Sequence, residues 1–109
     1  MAVVAAALLV PAQADAKVPL KRYECYQFDP TVGYLYGGGF TLKKEGKYTA
    51  LTGGGGKWRT PNGKRVNFKT GPYKYFYGKM RKDDKGNPVM DLYLKEDPSN
   101  SQACYPGGK

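Results

Sequence analysis

The 109-residue chain contains no histidine, no isoleucine and only two cysteines. The first absence removes every His-based catalytic triad and every His-ligated metal site from within the chain. Two cysteines cannot build a four-thiolate zinc site. Carboxylates are few as well: 9 Asp+Glu stand against 18 Lys+Arg, leaving a net charge of +9. No apolar run reaches the ~20 residues that a membrane-spanning helix requires. Beyond position 16, Leu, Val and Phe together number only 14. With so much charge, that scarcity alone would suggest disorder.

What is present argues for a fold. Ten Tyr, four Phe and one Trp can each bury a large area, so a thin aromatic core is feasible. Cys25 and Cys104 stand near the two ends of the aromatic stretch. In an oxidising compartment the simplest reading is one disulfide tying the first strand to the last. Closing so long a loop is worth about 4–5 kcal/mol on loop-closure entropy. The alternative, two free thiols in a redox role, lacks the Cys-x-x-Cys spacing.

The N-terminus reads as a processing signal. Ala2 to Val10 is an unbroken apolar run, Pro11 ends it, and Ala14-Asp15-Ala16 has the small-x-small pattern of a cleavage site. No Lys or Arg precedes the run. The expectation is a signal peptide over 1–16, one β domain over 17–105 and a loose tail over 106–109. The protein would then be secreted or periplasmic. The competing reading is an apolar N-terminal helix that joins the fold.

Past residue 17 no helical period survives, because Gly and Pro interrupt every window of about ten residues. Turn signals recur at 44–47, Gly53–Gly56, Pro61-Asn62-Gly63, Thr70-Gly71-Pro72 and 83–88. Between them lie period-two runs at 23–28, 38–43, 47–52, 57–60, 65–69, 73–82, 89–95 and 101–105. The prediction is an all-β fold: an antiparallel meander of seven to eight strands, closed as a barrel or tight sandwich. Alternation puts Phe40, Leu42, Tyr48, Ala50, Trp58, Val66, Phe68, Phe76, Met80, Met90, Leu92 and Leu94 inside. It puts Lys43, Lys47, Lys69, Lys95 and most other cations outside, with Tyr73, Tyr75, Tyr77 and Tyr93.

The candidate ligand-binding residues follow from that outer wall. Tyr73, Tyr75, Tyr77, Lys79 and Arg81 would stand in one stripe, phenols ~7 Å apart along the strand. Flat rings beside cations suit stacking on sugars or bases, with charge for phosphate, sulfate or carboxylate. The bland reading is that Tyr favours strands and Lys stems cover the rings. Lys57 and Arg59, with Arg65 across the Asn62-Gly63 turn, form a second basic patch.

Other motifs fail their tests. Gly56-Lys57 is not a phosphate loop: position 51 is Leu, and Trp58 stands where Ser or Thr should. Gly37–Gly39 suits a β-bulge. Asp83-Asp84 with Asn87 lacks the ligand order of a calcium loop. Glu24 and Asp91 are the only carboxylates in strands that could share acid–base work, and no motif joins them. No catalytic residue, metal site or cofactor is expected.

Gly37–Leu42, Gly46-Lys47-Tyr48, Gly56-Lys57-Trp58, Val66–Pro72 and the early and late cysteines together resemble a group of small secreted bacterial β-proteins with repeated Gly-x-aromatic strand starts. The resemblance implies a secreted all-β fold and carries no assigned activity. Gly56-Lys57-Trp58 is also similar to the Gly-x-Trp of lipocalins, although there it opens the first barrel strand. The expected function is a monomeric, non-catalytic module binding a polyanionic polymer or glycan at the cell exterior. Two alternatives stand beside it. One is an inhibitor or assembly factor using the Gly53–Gly56 and Asp83–Asn87 loops. The other is an OB-like nucleic-acid-binding barrel.

Overall fold

The computed structural model describes residues 18–107; the leader expected over 1–16 lies outside them. Eight antiparallel strands close into a barrel in simple sequence order. They are β1 Arg22–Asp29, β2 Gly33–Lys43, β3 Lys47–Ala50, β4 Gly55–Arg59, β5 Arg65–Phe68, β6 Phe76–Lys82, β7 Pro88–Leu94 and β8 Asp97–Pro106. Each neighbouring pair is a meander hairpin, and β1 pairs with β8 to shut the barrel. The all-β meander is as the period-two pattern predicts, and of the two expected closures, barrel and sandwich, the chain takes the barrel. Pairing runs through Pro106, and the Gly107 amide donates to the Arg22 carbonyl at 2.6 Å. Among the described residues no helix is long and apolar enough to cross a membrane.

The interior is aromatic, which answers the shortage of aliphatic side chains. Tyr23 stacks on Phe40 at 5.4 Å, Phe40 meets Phe68 at 5.1 Å, and Phe68 meets Tyr48 at 5.1 Å. Leu42, Val66, Met90 and Leu92 fill the space around them. The predicted interior set is buried, with Phe76, Met80 and Leu94 half-buried. Each polar tip in the core reaches a backbone group. The Tyr23 hydroxyl donates to Pro19 O at 2.7 Å, Tyr48 to Thr70 O at 2.7 Å, and Trp58 Nε1 to Lys47 O at 3.0 Å. Such rings supply apolar area without leaving a buried donor unpaired.

The Cys25–Cys104 disulfide forms as expected and lies in the seam between β1 and β8. Within the expected Gly37–Gly39 stretch, Gly37 and Gly38 make the bulge, since both fall opposite Cys25 alone. The β1–β2 register slips between Glu24 and Tyr26, and Gly38 takes φ +92°. A Cβ on Gly39 would stand 1.9 Å from the Tyr23 carbonyl oxygen. Only glycine lets the two backbones approach so closely.

Two sequence expectations are corrected. The run 73–82 is not one strand, because β6 begins at Phe76. Residues 72–75 instead roll through turns closed by Lys74 N to Gly71 O and Phe76 N to Tyr73 O. This rotates Tyr73 off the outer wall. Its ring packs on Phe40 and Phe76, and its hydroxyl donates to Gly39 O at 3.2 Å. Second, β2 starts five residues earlier than Gly38. With the end of β1 it forms a two-stranded arm that continues past the last β1–β8 pair, Tyr26 with Ala103.

Candidate ligand-binding face

The outer faces of β5, β6 and β7 bring part of the expected set together. Arg65 pairs across strands with Lys79, and Lys79 with Asp91. One step along the barrel, Asn67 pairs with Tyr77 and Tyr77 with Tyr93. The Tyr77 and Tyr93 rings stack at 5.2 Å with 17° between planes. The Arg65 guanidinium lies 4.2 Å from the Tyr77 ring centre, and Lys79 Nζ lies 5.7 Å from that of Tyr93. Arg65 Nε donates to Asn67 Oδ1 at 2.9 Å. Its two terminal nitrogens are donors beyond that bond, and a guanidinium can offer such a pair to two anionic oxygens at once.

Arg59 flanks this cluster as the partner of Asn67. Arg81 is closer to neutralised, since its Nε contacts Asp91 Oδ2 at 2.7 Å. The hydrogen bond to Asp91 raises the guanidinium pKa further. Lys57, two residues before Arg59 on β4, pairs on its other side with Lys47, which in turn pairs with Lys43. Among the described residues the ion pairs are Arg22–Glu24 and Arg81–Asp91, so this row of three lysines has no carboxylate opposite it. Tyr75 is exposed but stands in the turn before β6, with Lys74 Nζ 5.2 Å over its ring.

A second aromatic cluster was not anticipated from the sequence. Tyr26 and Tyr36 are register partners with rings 5.6 Å apart, Phe28 and Tyr34 likewise at 5.4 Å, and Tyr105 meets Tyr26 at 6.1 Å. Arg65, Lys79, Asp91, Ala103, Tyr26 and Tyr36 are successive cross-strand partners, so one row joins the two clusters. Tyr34-Leu35-Tyr36 held the missing signal. Three large side chains in succession cannot all face a core in a half-buried strand.

The remaining motifs resolve simply. The turn after β3 is short: Gly53 N donates to Ala50 O and Ala50 N to Gly54 O, while Gly55 and Gly56 belong to β4. Asp83 Oδ1 accepts from the Lys85 and Asn87 amides at 2.9 Å each. The Asn87 amide is the main reason its carboxyl pKa is lowered. Glu24 is paired with Arg22 at 3.1 Å and Asp91 with Arg81, on strands to either side of β8. Comparison with protein families, with curated proteins and with solved structures finds no match to this chain.

Proposed function

We propose that this barrel is a non-catalytic binding module for an acidic polymer or glycan, acting outside the cytoplasm. One observation carries the reading: Arg65 and Lys79 flank the stacked Tyr77–Tyr93 pair on an outer wall rich in unmatched cations. Rings pin the cations without neutralising them, which keeps both charge and hydrogen-bond donors available to a sulfate, phosphate or carboxylate. The cystine-closed seam fits an oxidising compartment. Glu24 and Asp91, the strand carboxylates considered for acid–base work, are each engaged by an arginine. The test is retention on a heparin-type polyanion column. Arg65→Ser with Lys79→Ser should lower the eluting salt concentration markedly. Elution unchanged from wild type would refute the reading.

A further inference from the structure

Among the described residues, six of the seven exposed large apolar side chains lie at one end of the barrel: Phe28, Val32, Tyr34, Leu35, Tyr36 and Tyr75. The first five belong to the β1–β2 arm. Strand directions place the tip of that arm at the same end as the 51–54 turn, the 69–75 segment and the 95–96 turn. One face of the arm is aromatic, and the other carries Leu35 beside the polar Gln27 and Asp29. Phe28 pairs with Tyr34 on the first, Leu35 lies opposite Gln27 on the second, and Val32 sits in the turn between. From Tyr23 through Leu42 there is no Lys or Arg.

The rim beneath the tip is different. It carries Lys69, Lys74 and Lys95, all exposed, with Lys74 over the Tyr75 ring. The carboxylates at this end are Asp29, Glu96 and Asp97. Asp29 Oδ1 accepts from the Thr31 amide at 2.7 Å, and Asp97 Oδ1 from the Ser99 amide at 3.3 Å. Three lysines and three carboxylates balance at this end, so an apolar tip with phenols behind it suits the acyl boundary and headgroup region, and attraction to an anionic surface comes from the charge of the whole chain.

We infer that this end of the barrel docks on an anionic lipid surface, with the arm tip inserted at the headgroup–acyl boundary. Past Tyr26 the arm extends by about three residues, or ~10 Å. No third strand joins the arm past Tyr26, and open sheet edges do not enter hydrocarbon. Insertion therefore stops at the ~5–10 Å depth of interfacial anchors. The chain's charge of +9 attracts an anionic bilayer and opposes the alternative occupant, a second copy of the same chain.

The experiment uses the full chain carrying Leu35→Trp, with vesicles of phosphatidylglycerol and phosphatidylcholine or of phosphatidylcholine alone. This probe reports on the arm itself, whatever residues 1–17 contribute, and Trp58 in the barrel supplies a constant background. The expected result is a blue shift with anionic vesicles and quenching by brominated acyl chains. Phe28→Ser with Leu35→Ser in the wild-type background should weaken vesicle partitioning at least tenfold and leave polyanion-column elution unchanged. Arg65→Ser with Lys79→Ser should move that elution and spare quenching of the L35W probe, so this inference and the polyanion reading fail separately. An L35W emission indifferent to lipid overturns the inference. So does a double serine variant that partitions like wild type, or an L35W shift that follows protein concentration instead of lipid.

Discussion

Cys25 and Cys104 are direct register partners across the β1–β8 seam, with Cα atoms 3.9 Å apart. Their bond spans 79 residues of sequence and joins the one strand pair that no short turn holds together. Replacing both with alanine should cost about 4 kcal/mol, the loop-closure entropy of so long a crosslink. That is a large part of a small domain's total stability. Urea denaturation of the oxidised, reduced and double-alanine forms measures it. Amide exchange at Tyr23–Tyr26 should speed up before that of β5–β7. A loss below about 1 kcal/mol would show that strand pairing alone closes the seam.

The close backbone approach beside the bulge gives a further mutational test. Gly39→Ala places a methyl against the Tyr23 carbonyl oxygen, and backbone on both sides must give way. The expected cost is about 3 kcal/mol, at the upper end for overpacking. Thermal denaturation of the variant tests this.

Much of this architecture can be read from residue order, and the reason is local. Phe40 and Leu42, Val66 and Phe68, Met90 and Leu92 each alternate with polar neighbours, so one strand face identifies the interior. The Tyr73 error arises because its period-two spacing to Tyr75 and Tyr77 continues through a stretch where the chain turns. Hydrogen bonds at Gly71 and Tyr73 rotate the ring inward, and no spacing rule reports that rotation. The arm escaped for the opposite reason. With both faces exposed, Tyr34-Leu35-Tyr36 has no alternation to detect. The Arg65–Tyr77 contact joins residues from two strands, so only the register reveals it.

Alkaline pH should unfold the barrel through its buried phenols. Burial raises the Tyr23 pKa well above its ordinary value. Burial also raises those of Tyr48 and Tyr73, although the Tyr73 amide partly offsets the effect at Tyr48. A group whose pKa is higher folded than unfolded contributes stability that is complete below the unfolded value. The loss begins as pH rises through about 10, where the unfolded phenol ionises. Stability should fall by up to about 1.4 kcal/mol per pH unit from Tyr23 alone in that window. Tyr23→Phe removes the hydrogen bond to Pro19 and should cost about 1 kcal/mol at pH 7. The same variant should flatten the alkaline limb. An identical pH slope in wild type and variant would contradict the assignment.

The lysine row across β2, β3 and β4 tests whether the cationic wall is tolerated or favoured by the fold. Lys43, Lys47 and Lys57 are consecutive cross-strand partners, and like charges directly opposite each other destabilise a sheet. Lys47→Glu sets an acid between two amines. It should raise stability by about 0.5–1 kcal/mol at low ionic strength, and the gain should shrink at 1 M salt, where screening reaches ~3 Å. Denaturation at the two salt concentrations measures both effects. A stability gain paired with earlier elution from the polyanion column would mean that the wild-type row trades stability for binding. A gain with unchanged elution would confine the binding face to Arg65, Lys79 and their tyrosines.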